Sequence, residues 1–202
     1  MVLKELPSLL HLLKILQQVP YLASKNGYRV ADYFLEQDEQ QLQQFCNALI
    51  QAKQNIVHCA VCFGWQERLK ACIFCASTAR DKSIICVVES WQELMIIEKT
   101  GNYNGLYHVL GGLISPLEGV HAADLTIDAL IQRVSSDVQE IIFALNQTPE
   151  GEATMHFVTR KLHEKMVKLS CLARGLPVGS ALESMDRLTV YKALSERRSL
   201  IP

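Results

Sequence analysis

A chain of 202 residues that is 49% hydrophobic and 20% charged, with ten glycines and six prolines, has a globular make-up and is neither disordered nor fibrous. Twenty basic against twenty-one acidic residues leave a formal net charge of -1, so bulk charge does not coat nucleic acid and any phosphate contact must come from a local patch. No apolar run reaches the roughly eighteen residues that span a bilayer, and the seven cysteines fit a reducing cytosol better than a disulfide framework, which together predict a soluble, cytoplasmic protein.

Three helices are predicted first. Over residues 3–19 the apolar positions Leu6, Leu9, Leu10, Leu13, Leu16 and Val19 recur at spacings of three and four, and Pro20 ends the run. Lys25 to Leu35 forms a second helix with Val30, Ala31 and Phe34 inward, and Glu39 to Lys53 a third that buries Leu42, Phe45, Cys46, Leu49 and Ile50. The segment CAVCFGWQERLKACIFC, residues 59–75, then carries two Cys-x-x-Cys pairs. Each pair is a tight knuckle offering two sulfurs, so Cys59, Cys62, Cys72 and Cys75 can surround one tetrahedral Zn2+. The competing reading is four unrelated core thiols, which the paired spacing disfavours. His58 adjoins the first pair, but four thiolates already suffice. Such a site is closed, hence structural, and its metal supplies local folding energy.

Beyond the knuckles the period changes. SIICVVE (83–89) is a continuous apolar, β-branched run, as in a strand covered on both faces of a parallel sheet. Ser90 with Glu93 forms a capping box for a helix that runs to Gly101. YHVLGG (107–112), a loop with Pro116 and Gly119, a helix over 126–136, the strand EIIFAL (140–145), a helix over about 151–166 and a fourth strand, VKLSCLA (167–173), complete an α/β unit with a largely parallel sheet. RGLPVGS (174–180) is a loop, and 186–200 ends in a short helix. Cys46, Cys86 and Cys171 sit in apolar contexts as small hydrophobes.

Two further sites follow. Ligands of open α/β sheets gather at the carboxyl ends of strands. If the strands ending at Glu89 and Leu145 are neighbours, Glu89, Glu150 and Glu152 meet at one edge, as a divalent-metal site for phosphates requires; alternatively Glu150 and Glu152 merely favour a helix dipole. Lys25 and Arg29, four apart at the start of the second helix, can hold a phosphate backbone without reading sequence, or can simply be solvated.

CAVC...CIFC, RDKSIICVVES, TGNYNGLYHVLGGLISPLEGV, EGEATMHFVTRKL and LARGLPVGSALESMDRLTVYKAL together resemble RecR, the recombination mediator family of the bacterial RecFOR pathway, over nearly the full length. The resemblance implies a helical, helix-hairpin-helix-like DNA-binding region at 1–56, a zinc finger at 57–78, a Toprim domain at 79–175 and an assembly segment at 176–202. It further implies a ring-shaped tetramer that clamps DNA and, with RecO or RecF, helps load RecA onto single strands coated by single-strand binding protein, without enzymatic activity. Lys25 and Arg29 fall on the family's DNA-contacting positions, whereas Tyr21 and Ala23 replace its hairpin glycines. Asn146 and Thr148 stand where catalytic Toprim enzymes carry an Asp-x-Asp pair, so the acidic edge is expected to meet a basic partner such as RecO. The rival readings are a Toprim nuclease or primase-like enzyme using Glu89, Glu150 and Glu152 with Mg2+, and a zinc-stabilised adaptor that touches only protein. In the favoured reading the zinc unit joins a DNA-binding arm to an assembly domain.

Overall fold

The computed structural model describes residues 5–22, 24–173, 175–177 and 179–197. The chain divides into two compact units, residues 1–56 and 57–202.

The first unit is helical. α1 (Pro7–Leu16) begins with its proline at the first helical position, where the missing N–H costs nothing. α2 spans Ser24–Glu36. α3 (Glu39–Asn55) starts at Asp38, whose carboxylate accepts from the Gln41 N–H at 2.7 Å. Leu13 and Ala31 are the buried hydrophobic residues of this unit among those described, and Phe34 reaches Phe45 with ring centroids 4.7 Å apart. The predicted burial of α3 is not found: Leu42, Phe45, Cys46, Leu49 and Ile50 are all exposed. Periodicity identifies which face of a helix is apolar, but not whether this chain has the mass to cover it. Here two short helices supply one aromatic contact and leave the stripe open.

A small two-stranded sheet of β1 (Ile56–His58), which starts at the last residue of the first unit, and β2 (Trp65–Glu67) precedes the four-stranded sheet of the second unit. That sheet consists of β3 (Asp81–Val88), β4 (Gly105–Val109), β5 (Glu140–Ala144) and β6 (Lys168–Cys171), ordered β4-β3-β5-β6 and parallel throughout. Strand pleat assigns alternate residues to opposite faces. Ile85, Val87, Leu106, Ile141 and Phe143 face a core closed by α5 (Ile127–Arg133) and α6 (Pro149–Lys161) through Leu130, Val158 and Leu162. Cys86, Val88, Tyr107, Val109 and Ala144 face the other way, toward Leu94 of α4 (Trp91–Lys99) and toward Cys59, Cys62, Cys72 and Phe74. The cysteine unit is therefore part of the core of the sheet, not an appendage to it.

Helix α4 starts as predicted, with Ser90 and Glu93 forming the capping box. Helix α6 starts two residues before its expected position, because Thr148 caps it and Pro149 opens it. After the sheet, α7 (Arg187–Ser195) is capped by Asp186, which accepts from the Leu188 and Thr189 N–H groups at 3.0 Å each. Of the other cysteines Cys86 is buried, which pushes its thiol up to about 12, whereas Cys46 and Cys171 are exposed rather than packed as hydrophobes. Among the described residues no helix is long and apolar enough to cross a membrane.

Candidate metal centre and Toprim edge

The two knuckles have the same backbone closure. The Phe63 N–H donates to Cys59 O and the Ala76 N–H to Cys72 O, each at 3.0 Å, so each pair of cysteines is held on one tight turn. The first knuckle turns sharply enough to put Phe63 at φ 59, and its ring then packs on His108 with centroids 5.4 Å apart. The four sulfurs lie within 4.8 Å of one another. Cys62 Sγ is 3.6 Å from Cys72 Sγ, and Cys59 Sγ is 4.0 Å from Cys75 Sγ. A tetrahedron of sulfurs with Zn–S bonds of 2.3 Å has edges of about 3.8 Å, so the residues present fit a tetrahedral thiolate-bound ion. Contact with Cys75, with burial adding to it, holds the Cys62 thiol well above its usual value, and burial does the same for Cys72. A cation is what would favour four thiolates in this place. His58 is committed elsewhere, its Nδ1 lying 2.9 Å from Phe63 O. Across the gap to the sheet, the Val109 N–H donates to Cys62 O at 2.8 Å, tying the metal-binding turn to the end of β4.

Strands β3 and β5 are neighbours in register, Val88 opposite Ala144, so the residues that follow them share one edge. There Asn146 Nδ2 donates to Glu89 Oε2 at 2.7 Å. Burial raises the Glu89 carboxyl above the usual range; the Asn146 bond opposes this and nearby Glu93 reinforces it. Thr148 Oγ1 accepts from the Gly151 N–H at 3.2 Å as the cap of α6. Glu150 and Glu152 lie in the first turn of that helix. Glu152, however, is paired with Lys192 of α7, Nζ to Oε1 at 3.0 Å. Among the described residues the cysteines are the one group of three or more His, Cys, Asp or Glu side chains gathered closely enough for a metal ion. The edge brings Glu89 to Asn146 and Glu152 to Lys192, and it does not bring the three carboxylates together as one cage. Lys192 lies forty residues from its partner, and no sequence spacing announces such a pair.

On α2, Lys25 and Arg29 are both exposed. Tyr21, in the turn before that helix, has φ 63, the left-handed region that glycine favours, and its ring is in solvent. Ala23 lies outside the described residues.

Residues 83–173 match the Toprim domain family, and residues 175–198 match the family described as RecR, C-terminal. Among curated proteins, the chain is 40% identical over 181 residues to Recombination protein RecR of Phocaeicola vulgatus, covering 89% of this chain and 88% of the relative. The same values hold for the Recombination protein RecR of Bacteroides thetaiotaomicron. That of Parabacteroides distasonis is 39% identical over 183 residues, covering 90% and 88%.

Proposed function

This chain belongs to the RecR family of recombination proteins, and from that premise we propose that it is a non-catalytic mediator of recombinational DNA repair. In this reading it clamps DNA as a ring-like tetramer in the cytoplasm, carries one structural Zn2+ on Cys59, Cys62, Cys72 and Cys75, and with RecO and RecF promotes RecA loading on single strands. The observation that carries it is the occupation of the Toprim edge. Asn146 is spent on Glu89 and Thr148 on capping α6, at the two positions where strand-cleaving relatives would hold metal with carboxylates. Phosphate contact falls to Lys25 and Arg29, exposed on one face of α2. The open apolar stripe of α3 supports assembly, since such a surface on a solvated helix is a place for another chain.

The deciding experiment measures duplex and gapped-DNA binding by anisotropy across a salt series. Affinity falls with salt as counterions are released. Lys25→Ala with Arg29→Ala weakens binding and makes the log–log salt slope shallower by about 2. Affinity and slope both unchanged in the double variant would move the DNA site elsewhere. Light scattering with and without gapped DNA reads the assembly. The enzyme reading requires Mg2+- or Mn2+-dependent nicking of plasmid that disappears in Glu89→Gln, and that result would replace the mediator reading.

A further inference from the structure

The only two tryptophans of the chain, Trp65 and Trp91, stand against each other beside the cysteine knuckles. Their ring centroids are 6.0 Å apart and their planes are inclined by 24°, an offset stack. Trp91 is fixed from behind. Buried Phe74 meets it edge-on at 5.7 Å, and Gly64 leaves just enough room, since a Cβ there would lie 3.0 Å from the Trp91 ring. Trp65, on β2, completes a series of three rings running outward from the core, and it remains 51% exposed. The turn just past β2 carries two exposed cations, Arg68 and Lys70, and Glu67 is the single carboxylate between residues 57 and 78.

A fixed aromatic face flanked by cations is how proteins hold unpaired bases: the ring stacks on a base while the cations follow the backbone. We propose that Trp65, backed by Trp91, is a stacking platform for an unpaired base of single-stranded DNA, with Arg68 and Lys70 on the adjoining phosphates. This rests on the DNA-binding reading above and adds a contact far in sequence from Lys25 and Arg29. The competing occupant is an apolar surface of a protein partner, for which exposed Leu69 and Ile73 would serve. The stack favours the base, because it presents a flat face at a fixed tilt, which an aliphatic contact does not need.

Because both tryptophans lie in this stack, emission excited selectively in tryptophan reports the site without the six tyrosines. The full-length protein as purified is titrated with labelled oligothymidylate and with a duplex of equal length, anisotropy and tryptophan emission being read in parallel. The expected result is quenching by oligothymidylate, roughly tenfold weaker single-strand affinity in Trp65→Ala, unchanged duplex affinity, and partial recovery in Trp65→Phe. Zinc content and melting midpoint verify that each variant is folded, and Trp65→Phe alone decides the matter if alanine is not tolerated. Single-strand binding without quenching, and undiminished in the folded variants, overturns the platform and assigns the patch to a protein partner while leaving the DNA-binding reading intact. Failure of the wild-type protein to bind either DNA at low salt overturns both.

Discussion

Asn146 donates its amide to Glu89 across 2.7 Å, from the residues that follow two adjacent parallel strands. The bond uses the one carboxylate that follows β3, and it does so at the switch point of the sheet, where strand order reverses around β3 and ligands of such folds usually bind. Burial makes the Glu89 proton harder to remove in the folded state than in the unfolded chain. A group with a raised folded value adds stability that is fully present below the unfolded value and is lost as pH rises through the folded one. Glu89→Gln keeps an acceptor for Asn146 and removes the charge. The variant should melt higher than wild type at pH 7, with the difference shrinking toward pH 4. A difference that instead grows on acidification would mean that the ionised carboxylate is the favoured partner of Asn146.

Gly151 secures the same edge from the side of α6. A Cβ there would sit 1.9 Å from Asn146 O, a backbone atom that cannot swing aside. Gly151→Ala must therefore separate the helix start from the end of β5, at a cost of about 3 kcal/mol, the upper range for overpacking. Thermal melting should show a fall of several degrees. Gly27→Ala, inside α2 with nothing within 4 Å of the added carbon, is the contrasting case and should melt a few degrees above wild type, since alanine is favoured over glycine in a helix by about 0.5–1 kcal/mol.

What could be read from the chain alone follows from how local each signal is. The capping box at Ser90 and Glu93, the apolar run of β3 and the two cysteine pairs are complete within a few residues, and the structure contains all three. The start of α6 lies two residues before the predicted one, and its signal is local too: Thr148 as cap, Pro149 at the first helical position and Glu150 in the first turn mark a helix start in the sequence itself. The exposure of the α3 stripe, the Lys192–Glu152 pair and the tryptophan stack depend on what long-range packing brings together or leaves uncovered, and no periodicity encodes that.

Removing the metal should reach well beyond the knuckles. Cys59, Cys62 and Cys72 pack in one core with Cys86, Val88, Leu94 and Tyr107, and the Val109 N–H hangs on Cys62 O. Four thiols freed of a cation would leave that core with a loosened wall against β4 and α4. Elemental analysis should find one zinc per chain; chelation or Cys72→Ser should lower the melting midpoint of the whole unit in one transition. A chelated protein that keeps its midpoint, or loses only a small separate transition, would show that the knuckles fold apart from the sheet.

The turn before α2 offers the most direct probe of the DNA-binding reading. Tyr21 holds φ 63 while its ring lies wholly in solvent, so the turn keeps a backbone path suited to glycine and adds a phenol to it. A non-glycine residue is strained there by about 1–2 kcal/mol, while glycine frees the unfolded chain by about 0.5–1 kcal/mol. The two effects largely offset one another, and Tyr21→Gly should melt within a few degrees of wild type. Its DNA affinity should rise, because a glycine in this turn lets a phosphate approach the backbone more closely than a residue with a side chain does. Tyr21→Pro, with φ held near about -65°, cannot follow this turn and should disorder the first two helices. Anisotropy with duplex DNA and circular dichroism read both variants. Weaker binding in Tyr21→Gly would make the phenol itself a DNA contact, and a folded Tyr21→Pro would rule out the left-handed turn.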